Sequence, residues 1–311
     1  MSNPFYDPKT RIHLRTGEQA YKDYSARVKS EKSKPVKKTR NTKTKSNLIL
    51  NPSNFIKLST FTLDGNPINM LVGKYAAQVT QEIQEALNSL GYLPQIKDAQ
   101  NNITQKGYTQ EDIWINNRLG SLNWYEQIPL FECLGYDRMD NRQSLDFIIL
   151  LKNGLDGKAA VTGGDDKQLE RDEIKDILDK LSKKESPWRS EYSDAGFQIQ
   201  GDKIIMHSGH YTNPSLSLQE RIKPENIQHK YAKEIPKNNI IMQDGWTKFD
   251  NYNKEGLCTK LEKSNEIHNW FPRNNAVAGL AADSDGFCLY CDGGPLSSDS
   301  GLGMRFAKIL G

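Results

Sequence analysis

The 311-residue chain has only four cysteines, Cys133, Cys258, Cys288 and Cys291, too few to staple a protein of this length. It has no run of about 18 apolar residues, so no membrane-spanning helix is expected. Polar residues and Asp7 follow Met1 with no apolar stretch, which is not the pattern of a secretory signal; a place in a virus particle stays open. No P-loop, no G-x-G-x-x-G and no serine with a readable histidine partner occurs, so neither nucleotide binding nor a Ser/His/Asp triad is indicated. The carboxylates are many, but none is singled out as a pair. A mean hydropathy of -0.73 is low for a folded chain of this size and points to one very polar segment.

That segment is the first 48 residues. They hold 13 Lys/Arg against 4 Asp/Glu, whereas the remainder holds 29 against 35. The net charge of +3 thus combines a basic head with a mildly acidic body. Almost nothing in the head can be buried, and disorder is the expectation. Its partner would be nucleic acid or a larger assembly docking Phe5, Tyr6, Tyr21 and Tyr24.

The body divides on pattern into a middle α+β domain, residues 49–185, and a last domain, residues 186–311. In the first, Leu58 to Leu71 reads as strand, turn and strand about Asp64-Gly65. Val79, Ile83, Ala86, Leu87 and Leu90 form one helical stripe that Gly91 ends. An Asn/Gln-rich loop runs to Gly107, and Trp114, Trp124, Tyr125, Phe131 and Tyr136 are read as core. Phe147 to Leu151 is an apolar run expected to be a buried strand. Gly163-Gly164-Asp165-Asp166 is expected to open a helix carrying Ile174, Ile177, Leu178 and Leu181. In the second, a hairpin is expected across Gln200-Gly201-Asp202, a polar connection over 212–238, and a short helix within 244–256 holding Trp246 and Phe249.

The tail from Asn275 carries the functional signal. Val277, Leu280, Ala282, Phe287, Leu289 and Cys291 are small or apolar, and Gly279, Ala281, Asp283, Cys288, Tyr290 and Asp292 interleave with them. Around Asp285-Gly286 this is the period-2 pattern of a hairpin with one buried and one wet face. Cys288 and Cys291 form a C-x-x-C, but three residues apart on a strand they point to opposite faces, which disfavours a redox pair. Cys291 is the buried member and Cys288 the exposed one. His207 and His210 lie close enough to share a metal, but no third ligand sits at a readable offset, so no metal site is expected. Taken alone, the tail is equally the Gly/Asp/Ser-rich hairpin of an ordinary β domain.

Trp270-Phe271-Pro272-Arg273, Ala276-Val277-Ala278, Ser284, Leu289, Cys291, Pro295, Ser298, Ser300, Leu302-Gly303-Met304-Arg305 and Ala307 together resemble the C-terminal variable region of ligand-binding proteins diversified by retroelements. That family's tail reads W-Y-P-R, A-V-A, L-x-C and L-G-V-R-x-A; Phe271 stands for its Tyr and Met304 for its Val. The likeness covers about the last 40 residues. It implies a C-type lectin-like fold for 186–311 and non-catalytic recognition of a macromolecule, a protein or cell-surface component, from a virus tail tip or a displayed receptor. It implies variable, ligand-contacting positions at Gly279, Ala281, Asp283, Asp285, Gly286, Cys288, Tyr290, Asp292, Gly293, Gly294, Leu296, Ser297, Asp299 and Gly301, with Tyr290 the main anchor. Adenine mutagenesis of Asn-type codons yields no Lys, Glu, Gln, Met or Trp. Those types make up about a quarter of the chain, yet none occurs from Asn275 to Gly303. Neither E-P-N nor W-N-D is present, so calcium-dependent sugar binding is not implied, and no cofactor is expected. Two other readings compete with this one: an oxidase of the formylglycine-generating type, which shares that fold and needs a reactive cysteine pair, and a nucleic-acid-associated structural protein acting through the head.

Overall fold

In the computed structural model, which describes residues 51–111, 118–182, 189–264, 266–282, 286–298 and 302–310, the chain is an α+β protein. The basic head and Trp114 lie outside the described residues. Strands β1 (Phe55–Phe61) and β2 (Pro67–Gly73) form the expected antiparallel pair, with Gly65 at the turn in the left-handed region (φ 88°) that favours glycine. Helix α1 (Gln81–Leu90) starts where the Thr80 hydroxyl accepts from the Ile83 amide, and Gly91 ends it. Its buried residues are Ile83, Ala86 and Leu87, on the expected stripe. The Asn/Gln-rich stretch holds a small hairpin, β3 (Ile96–Lys97) with β4 (Ile103–Gln105), and β5 (Thr109–Glu111) pairs with β6 (Arg118–Gly120).

Helices α2 (Trp124–Leu134), α3 (Asn141–Leu155) and α4 (Arg171–Leu181) follow. Trp124, Phe131 and Tyr136 are buried, as expected of core aromatics. The run Phe147 to Leu151, expected as a strand, is the interior of α3. A reciprocal cap between Asp140 and Gln143 starts the helix, and Leu145, Phe147, Ile148 and Leu151 are its buried apolar residues. Ile149 and Leu150 pack at its margin, and these extra apolar residues hid the 3.6 period. Helix α4 buries Ile174, Ile177, Leu178 and Leu181 as expected but begins at Arg171, after the Gly163–Asp166 turn rather than within it.

Strands β7 (Arg189–Gln200) and β8 (Lys203–Tyr211) make the hairpin about Gly201. The segment expected as a polar connection instead contains the short helix α5 (Leu218–Arg221) and strand β9 (Gln228–Pro236). β9 is an edge strand of mostly exposed residues and carries Lys230, Lys233 and Glu234, a composition that shields unpaired edge groups from association and leaves little apolar signal. Trp246 lies on β10 (Gly245–Thr247), and Phe249 starts a single 3₁₀ turn, in place of the helix expected over 244–256. Then come β11 (Ile267–Trp270), β12 (Ala276–Ala282), β13 (Phe287–Gly293), β14 (Leu302–Gly303) and β15 (Ala307–Leu310).

The large sheet runs β10-β11-β13-β12-β7-β8-β9, with β14 beside β7. A small sheet, β1-β2-β15, pairs the last strand with the second. The expected boundary between 49–185 and 186–311 therefore does not divide the core. Ile56, Val72, Phe147 and Ile177 share one apolar cluster with Phe197, Leu289 and Ala307. Period and turn signals are local, and they cannot show that the chain's last strand returns to its second. No helix among the described residues is long and apolar enough to cross a membrane.

Arg305 joins these parts. Its Nε and Nη2 donate to both carboxylate oxygens of Glu191 at 2.9 Å each, and its Nη1 donates to the Gly73 carbonyl at 2.7 Å. Both side chains are buried, so removing the guanidinium leaves an uncompensated carboxylate. Arg305→Ala is expected to cost about 3–5 kcal/mol in urea unfolding, and Arg305→Lys to recover only part of it, because an ammonium cannot span both oxygens.

Candidate recognition face

The tail hairpin forms about the expected turn. β12 and β13 are antiparallel, pairing Leu280 with Leu289 and Ala282 with Phe287. Inner-face residues Leu280, Phe287, Leu289 and Cys291 belong to the main core, and Ala282 is fully buried. The Asn141 amide donates to Cys291 Sγ at 3.3 Å, and burial pushes the Cys291 thiol far above its ordinary value. A thiol held protonated there is a packing group.

The opposite face carries Gly279, Ala281, Cys288, Tyr290 and Asp292, but it is not wet throughout. β12 is a central strand between β13 and β7, and all seven of its residues are buried. Gly279 and Ala281 are covered, and Cys288 is fully buried rather than exposed. None of the four cysteines is in a disulfide. Val277, placed by pattern with the inner set, packs instead with Trp124, Ile128 and Tyr192 on the outer side.

Tyr290 explains part of this cover. Its ring lies across the glycines: a Cβ at Gly279 would stand 2.2 Å from Tyr290 Oη and 2.8 Å from the Glu191 carbonyl oxygen, and one at Gly293 would stand 2.9 Å from Tyr290 Cε2. Its hydroxyl hydrogen-bonds Ser190 Oγ. The ring is thus pinned flat, and it exposes an aromatic surface more than a free hydroxyl.

Beside it stands an aromatic row that sequence reasoning did not assemble. Trp246 pairs with His268, His268 with Cys288 and Trp270 with Tyr290 across β10, β11 and β13, so all lie on this face. His268 is edge-on to Trp246 at 5.1 Å and tilted against Trp270 at 4.9 Å between ring centres. All three rings and Tyr290 are half-buried. Next to Trp246 is an open depression of about 540 Å³ bounded by Leu261, Glu262, Lys263 and Ser264. The readable signal was the alternation Ile267-His268-Asn269-Trp270, whose first and third residues are buried.

One end of the row is charged. The Arg273 guanidinium lies 3.8 Å from the Phe271 ring centre and 3.5 Å from Asp244. Burial, then the charge of Asp244, pushes the Asp292 carboxyl up to about 6, against a smaller opposing effect of Arg273. Directly after Asp292 a loop continues the face. The Tyr192 hydroxyl donates to the carbonyls of Gly294 and Ser297 at 2.9 and 3.1 Å, and the Trp124 amide donates to that of Pro295 at 3.0 Å. These bonds hold Gly293, Gly294 and Leu296 half-buried and Ser297 exposed. Gly286 is buried at the hairpin turn; Asp283, Asp285, Asp299 and Gly301 lie outside the described residues.

Gly279→Val is expected to cost about 1–3 kcal/mol through collision with the Tyr290 ring and the β7 backbone. If the ring carries most of that clash, a Gly279→Val/Tyr290→Ala cycle in urea unfolding will show a favourable coupling of at least about 0.5 kcal/mol. Asp292 makes stability depend on pH. Its contribution to stability is fully present below its ordinary value of 3.8 and is lost as pH rises through about 6. The melting temperature of Asp292→Asn relative to the parent should therefore rise between about pH 4 and pH 6.5, then level off; a flat difference would remove the raised carboxyl. No protein-family model, curated protein or solved structure matches this chain.

Proposed function

We propose that this protein is a non-catalytic ligand-recognition protein on a C-type lectin-like scaffold, with its tail diversified by a retroelement. The observation that carries the reading is the division of one hairpin between two tasks. Leu280, Ala282, Phe287, Leu289 and Cys291 are buried on the inner side, while, among the described residues that the family resemblance makes variable, Gly279, Ala281, Cys288, Tyr290 and Asp292 fall on the opposite face and Gly293, Gly294, Leu296 and Ser297 in the segment that follows Asp292. Change on that face leaves the main core, and the stability it provides, largely in place.

The aromatic row adds a reason to place a macromolecule there. Half-buried Trp and Tyr rings held by a sheet offer area at little cost in side-chain entropy, which is what interface anchors supply. Asp292, Asp244 and the hydrogen-bonding Gly294–Ser297 loop give a polar border to an apolar centre. The partner is a protein or cell-surface component. The basic head is a second attachment point, to an assembly or to nucleic acid. An oxidase resting on Cys288 and Cys291 is less well supported, since the two thiols lie on opposite sides of β13 and Cys291 is enclosed in the core.

The test is selection from a surface-displayed library of the full chain, varied at Tyr290, Asp292, Leu296 and Ser297, against unrelated protein targets. The expected outcome is folded binders to several targets, whose affinity falls at least tenfold on adding Trp270→Ala. Binders that ignore Trp270→Ala, or a library that yields only unfolded chains, would reject this face as the recognition surface.

A further inference from the structure

Away from the aromatic row, strands β8 and β9 bring three histidines together, one of them, His229, from the segment expected as a polar connection. His207 Nδ1 and His229 Nε2 are 3.1 Å apart, with ring centres at 4.1 Å. The His210 ring centre is 6.1 Å from that of His229, its direct cross-strand partner. Nε2 of His210 stands over Gly196, 3.7 Å from where a Cβ would be, and Gly196 is the cross-strand partner of His207. The three rings thus converge on one patch of the sheet.

We propose that His207, His210 and His229 form a binding site for a divalent d-block cation of the zinc class, with the fourth position open to water or a ligand atom. Two nitrogens on one tetrahedral zinc, each at ~2.0–2.1 Å, lie about 3.3 Å apart, so the His207–His229 pair needs to open by only a few tenths of an ångström. His210 is set as zinc-bound imidazoles are set. Its Nδ1 is 2.6 Å from Asp194 Oδ1, which fixes the tautomer and leaves Nε2 as the ligand atom. Asp194 is itself held by Arg138 at 2.7 Å and by the Gly209 amide at 2.7 Å, so the orienting carboxylate is rigid. No three His, Cys, Asp or Glu side chains among the described residues stand as a ready-made ligand set. Closing the third contact needs a rotation, and His229, exposed on edge strand β9, is the side chain with room to make it.

The experiment is calorimetric titration of the full chain with zinc chloride, repeated with His229→Ala, His207→Ala and Cys133→Ser, and with cobalt as a spectroscopic probe. The site predicts one zinc per chain and a weakening of at least tenfold in His229→Ala. It also predicts no change in Cys133→Ser, and tetrahedral cobalt bands without a thiolate charge-transfer band. His229 is exposed, so its variant is expected to fold even if His207→Ala does not, and circular dichroism checks this. No zinc uptake by the parent chain, equal uptake by a folded His229→Ala chain, or a thiolate band would overturn the proposal.

Discussion

The buried pair between Arg305 and Glu191 is the contact on which the rest of the arrangement depends. Arg305 sits in the tail, Glu191 on the central strand β7, and the third acceptor, the Gly73 carbonyl, ends β2. One guanidinium thereby fixes the last strand against the small sheet and the small sheet against the large one. Taking both charges out of water is costly, and the pair is sustained because its two parallel bonds and the carbonyl occupy the fork of donors. With β15 held against β2, one core runs through both halves of the body.

That anchoring shapes the proposed recognition face. β12 is pinned between β13 and β7, so its outer side is built of small residues, Gly279 and Ala281, with the Tyr290 ring laid over the glycine. The face is therefore layered. Small residues lie at the bottom, rings from β10, β11 and β13 stand half-exposed beside them, and a loop tied to Tyr192 and Trp124 closes one end. Variation is not equally free at every position. A larger side chain at 279 meets both the ring and the backbone of β7, whereas Leu296 and Ser297 lie on the loop, half-buried and exposed, and can change at lower cost.

Much of this was legible in the sequence, and what was not has identifiable causes. The tail hairpin followed from strict alternation about Asp285-Gly286, and α1 from its stripe and the terminal Gly91. Helix α3 was hidden because Ile149 and Leu150 fill the gaps in its period, although its start was written in Asp140 and Gln143. β9 was hidden because an edge strand has little to bury. The aromatic row and the histidine cluster each draw on strands distant in sequence. No spacing rule links His207 to His229, 22 residues further on, or carries Trp246 across two strands to Tyr290.

On the proposed function, evolution alters the outer positions of the tail while keeping the inner ones. Sequencing the 3′ end of this gene across its source population tests that most directly. Substitutions are expected to concentrate in adenine-derived codons at Ala281, Tyr290, Asp292, Leu296 and Ser297, with Leu280, Leu289, Cys291 and Arg305 constant. Uniform tails, or substitutions spread evenly over inner and outer positions, would contradict it.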